Sequence, residues 1–202
     1  MSKVIIVFMI IILIIILFLL GFGIYWLIER ERRRTITPTP TPVTPTSSSI
    51  ISEMQNNWGT IKNQNNCLTA IGEPDKESKI EMSACVDPTK ADNSSQLWRM
   101  TDNNALISIK DPNATYCLDV DSQATIGAGD PIHFWLCNQT DTKKLEWTPK
   151  IVSTDPLSYH LVNNQNITGC IDTTPGIGKE PILQTCNNDS VAQQWSFTPF
   201  SR

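Results

Sequence analysis

Six cysteines and three tryptophans recur along the last three-quarters of this 202-residue chain with a period near fifty. The cysteines come in twos, Cys67 and Cys85, Cys117 and Cys137, Cys170 and Cys186, and each two is followed by a tryptophan, Trp98, Trp147 or Trp195. Successive tryptophans lie 49 and 48 residues apart, and successive leading cysteines 50 and 53. Self-similar content at a fixed period means one structural unit made three times. Two tryptophans close a Gln-x-Trp triplet, at Gln96 and Gln193, whereas the middle copy reads Leu145-Glu146-Trp147.

Local patterning agrees with an all-β repeat. Short β-prone runs such as Leu106-Ile107-Ser108-Ile109 and Tyr159-His160-Leu161-Val162 alternate with turn clusters such as Asp111-Pro112-Asn113 and Asn163-Asn164-Gln165-Asn166. No stretch after residue 50 sustains a helical period. The three tryptophans, with Ile109 and Leu161, are the expected core.

The pattern over residues 51–202 resembles the ricin-type lectin domain. The resemblance implies a β-trefoil: twelve short strands in three pseudo-symmetric lobes around a shared tryptophan core. The repeat symmetry then singles out one of the fifteen possible pairings, Cys67–Cys85, Cys117–Cys137 and Cys170–Cys186. Each bridge would close a loop of about fifteen to twenty residues, worth about 3 kcal/mol in the chain-entropy model. No Cys-x-x-Cys occurs, and His133 and His160 do not repeat with the cysteines, so no metal or other cofactor is expected.

The front of the chain differs in kind. Residues 4–28 are 25 consecutive uncharged residues, rich in Ile and Leu, which as a helix would span about 37 Å. They end in bulky residues, with Tyr25 and Trp26 suited to an interface and no small-residue cleavage pattern. The expectation is a short cytoplasmic tail at 1–3, an uncleaved anchor at 4–28 with the lipid bilayer as partner, and a basic segment and Pro/Thr/Ser stalk at 29–50. Pro38, Pro40, Pro42 and Pro45 favour an extended polyproline II spacer. Arg30, Arg32, Arg33 and Arg34 taken alone put the carboxyl-terminal domain inside. Six evenly paired cysteines point to an oxidising compartment, supported by sequons at Asn93, Asn113, Asn138, Asn166 and Asn188. The cysteines decide the expectation: a single-pass type II membrane protein with its lectin domain outside, on a cell or a viral envelope.

The resemblance also implies where a sugar would sit. A pyranose has one relatively apolar face, which stacks on an aromatic ring, and a rim of hydroxyls, which a carboxylate takes in bidentate fashion. The family's pocket uses an Asp two residues after the first cysteine, an aromatic two before the second, and an Asn ahead of the Gln-x-Trp glutamine. The middle lobe matches with Asp119 and Trp135, has His133 where the family often carries another polar residue, and departs with Lys144 at the Asn position. The third lobe keeps Asp172 but has Gln184 and Ala192; the first has Thr69, Ser83 and Ser95. One good pocket is expected, with the third lobe weak or silent.

From residue 50 onward the chain holds 18 acidic and 11 basic residues, a net charge of −7, which argues against nucleic acid. The implied function is binding of glycans or glycoproteins without catalysis, strengthened by multivalent display or a homo-oligomer. The alternative is a decayed trefoil scaffold used for protein contacts in a membrane or envelope. The order of anchor, stem and lectin resembles the Golgi GalNAc-transferases, but their catalytic domain is missing and no Gly-x-Ser-x-Gly, His-Glu-x-x-His or nucleotide-binding loop occurs, so no enzyme is expected.

Overall fold

Each fifty-residue repeat folds into four strands. In the first these are β1 (Gly59–Asn63), β2 (Asn66–Ala70), β3 (Ile80–Ala84) and β4 (Trp98–Met100); in the second, β5 (Leu106–Ser108), β6 (Tyr116–Val120), β7 (Ile132–Leu136) and β8 (Trp147–Thr154). The third has β9 (Leu157–Asn163), β10 (Gly169–Asp172), β11 (Ile182–Thr185) and β12 (Ser196–Pro199). The computed structural model describes residues 15–26, 44–76, 78–87, 93–122, 125–138 and 142–200. It forms two units, Met1–Val43 and Thr44–Arg202.

The outer strands of the repeats close a ring. β1 pairs with β4, β4 with β5, β8 with β9 and β12 with β1. Single bridges at Ala105–Glu146 and Tyr159–Trp195 complete the circuit. A Cβ on Gly59 would run into the Phe197 ring and the Thr198 carbonyl, so the β1–β12 seam needs glycine there. The inner strands form three hairpins, β2–β3, β6–β7 and β10–β11. This is the trefoil the repeat implies, and all three intra-repeat disulfides form, at Cys67–Cys85, Cys117–Cys137 and Cys170–Cys186.

The hairpin strands β2, β6 and β10 are buried on both faces rather than in alternation. One face meets the shared core. The other lies under the disulfide and a 3-10 turn, η1 (Ser94–Gln96), η2 (Thr142–Leu145) or η3 (Val191–Gln193). Each turn delivers a fully buried tryptophan whose indole N–H donates across its lobe: Trp98 to the Leu68 carbonyl at 2.8 Å, Trp147 to Leu118 at 3.0 Å and Trp195 to Ile171 at 3.0 Å. The indole thereby satisfies its one donor inside an apolar core. Leu161 is buried as expected; Ile109 is not, because β5 ends at Ser108 and Ile109 lies half-buried in the following turn, leaving Ile107 as the buried residue.

A helix that the sequence reading missed completes the core. Residues 47–50, read as the end of the stalk, begin α2 (Ser47–Asn56), numbered after the helix α1 at 15–26. Thr46 caps α2 reciprocally with Ser49, a capping box built from hydroxyls. Ile50 and Met54, four apart on one face, are buried, and the helix packs on β4, β8 and β12, the last strand of each repeat.

The membrane placement is corrected. The described residues of α1 are 15–26. Among the described residues no helix is long and apolar enough to cross a membrane. This overturns the type II placement with the lectin domain outside, and the bilayer as partner is not shown. The tail at 1–3, residues 4–14 and 27–28 of the expected span, and the segment 29–43 with its arginines and first three stalk prolines lie outside the described residues.

Candidate functional site

The three lobes offer one equivalent position each for a pocket carboxylate, and the structure treats the three differently. In the first lobe Thr69 bonds Ser83 at 2.6 Å and receives the Gln96 amide at 3.1 Å, a closed polar triangle. In the third, Asp172 accepts from Gln193 Nε2 at 2.9 Å, from the Thr174 amide at 2.6 Å and from the Thr174 hydroxyl. Its charge is spent inside the lobe.

Among the described residues the middle lobe has no such donor. Asp119 stands at the end of β6, 5 % exposed, and Oδ1 is buried without a hydrogen-bond partner. Leu145 holds the place of the glutamine and contributes no N–H. His133 stands beside it, Nε2 lying 3.8 Å from Asp119 Oδ2 and Nδ1 3.8 Å from Oδ2 of Asp121, a half-exposed carboxylate. Both separations exceed a hydrogen bond.

β6 and β7 pair with Asp119 opposite His133 and Cys117 opposite Trp135, so alternate residues place Asp119, His133 and Trp135 on one outer face. η2 lays Lys144 over the same face, with Nζ donating to the Ser122 carbonyl at 3.3 Å. The four nominated residues, with Asp121 and Ser122, line a shallow hollow of about 110 Å³. The Trp135 ring lies near-parallel to the His133 imidazole, centroids 5.7 Å and 11° apart. The Lys76 ammonium, from the β2–β3 loop of the first lobe, sits 4.2 Å from the ring centroid. Nothing in the repeat signals Lys76, because it arrives from another copy. The Ser122 carbonyl is equally invisible, being a backbone group. Asp172, nominated as a weak site, is not brought to this hollow and faces its own lobe's donors.

A second apolar cluster lies behind Trp135. Ala105, Ile107, Cys117 and Leu145 form it, and Trp135, Ala114 and Cys137 pack against it. A cavity of about 330 Å³ opens there, beside the middle-lobe disulfide.

Elsewhere, His160 is buried beside Cys170 and Cys186, but both sulfurs are committed to the disulfide and supply no thiolate. Burial, and secondarily the Lys150 charge, push the His160 pKa below the ordinary histidine value, against a backbone hydrogen bond to Asn187. Of the sequon asparagines, Asn113, Asn138 and Asn188 are exposed; Asn93 is buried, and Asn166 is half-buried with its amide donating to the Ile126 carbonyl at 3.3 Å.

The model of the ricin-type beta-trefoil lectin domain matches residues 57–195. Over 142 residues the chain is 26 % identical to N-acetylgalactosaminyltransferase 6 of Drosophila melanogaster, covering 70 % of this chain but only 19 % of that protein. Its fold is similar to the C-half of the earthworm R-type lectin solved with GalNAc, with TM-score 0.53, 15 % identity, and 71 % and 98 % of the two chains covered. It is also similar to the designed threefold-symmetric protein ThreeFoil, with TM-score 0.54, 13 % identity, and 69 % and 96 % covered.

Proposed function

This chain belongs to the ricin-type β-trefoil lectin domain family, and from that premise we propose that its middle lobe binds carbohydrate at Asp119 and Trp135 without catalysing a reaction. The observation that carries the proposal is the buried Asp119 oxygen left without a donor. A buried acceptor that no protein group satisfies costs free energy, and a ligand hydroxyl recovers it. Asp119 accepts two neighbouring hydroxyls, while the Trp135 ring receives the apolar face of the sugar in the place where the exposed Lys76 ammonium now rests. Lys144, tied to the Ser122 carbonyl, holds η2 against the rim and leaves the acceptor chemistry to Asp119. His133 lies between the carboxylates of Asp119 and Asp121, 3.8 Å from each.

The internally satisfied polar groups of the other lobes support one working site. Thr69 and Asp172 have their partners within the protein, so the third lobe is silent in this reading. A single shallow pocket binds weakly, and several copies displayed together, or a homo-oligomer, supply the avidity. The ligands are glycans or glycoproteins, and no cofactor takes part. The second reading, a decayed scaffold for protein contacts, is favoured by those same two closed lobes.

The deciding experiment is a glycan array probed with the chain displayed multivalently, beside Asp119→Ala. GalNAc is included because the earthworm lectin half is solved with it. Binding that disappears in the variant is the expected result. A folded, disulfide-intact protein that binds nothing sinks the carbohydrate reading and leaves the scaffold.

A further inference from the structure

The geometry points to a second subsite in the cavity beside the middle-lobe disulfide, one that takes an uncharged apolar aglycone of a glycoside held at Asp119. It rests on the carbohydrate reading and extends it to the substrate class. One residue of the cavity lining sets the middle lobe apart from the other two. In the first lobe Gln96 clamps the end of its hairpin, Oε1 accepting from the Val86 amide at 2.8 Å and Nε2 donating to the Ala84 carbonyl at 2.9 Å. Gln193 does the same in the third, accepting from Asn187 at 2.7 Å and donating to Thr185 at 3.0 Å. Leu145 has neither group. The hairpin end of the middle lobe is left without this clamp, and about 330 Å³ opens beside it.

The lining states what fits. Its floor is the Cys117–Cys137 bridge, Leu145, Ala105 and Ala114, none of them charged. Asp102 and Glu146 also line it, and their carboxylates disfavour an anion. The volume lies at the small end of small-molecule sites, enough for an aryl or short alkyl group. The cavity and the sugar hollow have no lining residue in common but lie side by side. Trp135, which lines the hollow, packs against the apolar cluster of Ala105, Ile107, Cys117 and Leu145, and Leu145, which lines the cavity, follows Lys144, which lines the hollow. In the proposed complex the aglycone passes the edge of Trp135 from one to the other.

The test compares methyl and phenyl β-glycosides of galactose and of N-acetylgalactosamine by saturation-transfer NMR on the full chain. The phenyl glycosides are expected to bind about tenfold more tightly, the effect of burying part of one aromatic ring. Ala105→Val and the larger Ala105→Leu, which fill the cavity, are each expected to bring the phenyl-to-methyl ratio to about one. A melting profile on each variant confirms that it folds. Methyl glycosides that bind while phenyl ones bind no better overturn the subsite and leave the Asp119 pocket standing. A phenyl advantage that survives in both folded variants overturns it too, since the ring then lies elsewhere. If the wild type binds no glycoside at all, the carbohydrate reading and the subsite fall together.

Discussion

Thr69, Asp119 and Asp172 occupy one position of a threefold repeat, yet only Asp119 has a buried oxygen without a partner. Such an atom is a stability cost of about 1–3 kcal/mol, retained at sites whose function needs it. Asp119→Asn, which removes the charge in nearly the same shape, is therefore expected to raise the unfolding free energy by about 1 kcal/mol. Chemical denaturation measures this, and a loss of stability would mean that the carboxylate holds structure. His160 gives the opposite kind of prediction, in pH. Its folded pKa lies below the ordinary 6.5, so between those two values the unfolded chain holds the proton that the folded one refuses. Stability is complete above about pH 6.5 and falls as the pH drops below it, and His160→Gln is expected to flatten that slope in melting curves taken from pH 7.5 to 5. The candidate pocket was legible at this scale because residue type and offset from a cysteine suffice to nominate Asp119, His133, Trp135 and Lys144. The missing donor was not, because a leucine in place of a glutamine shows its effect only once η2 is laid across the hairpin.

At the scale of elements, the strands were legible because turn clusters and β-prone runs alternate within a fixed period, and the helix α2 was not. Three serines after a Thr/Pro run carry low helix propensity, and only Ile50 and Met54 mark an apolar face. Tertiary packing overrides that weak local preference: the face closes the end of the ring where β4, β8 and β12 meet. Lone helices of ten residues are marginal in water, so α2 depends on this burial, and the ring depends on α2 for a dry core. Met54, fully buried and in reach of the Tyr159 hydroxyl at 3.9 Å, is the anchor. Met54→Ala is expected to cost about 2–5 kcal/mol, as a strand core residue such as Leu161→Ala does. A cost below about 1 kcal/mol in urea denaturation would make the helix an ornament and return residues 47–56 to the linker. Ile109 shows the same limit from the other side, since a β-prone residue beyond a strand's end is decided by where pairing stops.

For the trefoil as a whole, three disulfides of nearly equal span staple three lobes, closing separations of 18, 20 and 16 residues. Loop entropy alone makes them equivalent, about 3 kcal/mol each. The lobes differ in what stands behind the staple. In the first and third, a glutamine ties the end of the second hairpin strand by backbone hydrogen bonds and the first strand through a side chain, Thr69 or Asp172, so a lobe that loses its disulfide keeps a second fastening. In the middle lobe Leu145 offers only apolar contact, and the bridge is itself part of the cluster it contacts, with Ala105, Ile107 and Trp135. The lobe with the candidate pocket is thus the one most dependent on its disulfide. Replacing Cys117 and Cys137 together by alanine is expected to destabilise more than replacing Cys67 and Cys85, or Cys170 and Cys186, and to speed amide exchange selectively in β6 and β7. Glycan binding should be lost in that variant and kept in the other two. Three equal costs, with exchange rising evenly over the lobes, would show that the glutamine clamps carry no weight and that the pseudo-symmetry of the cysteines extends to the energetics.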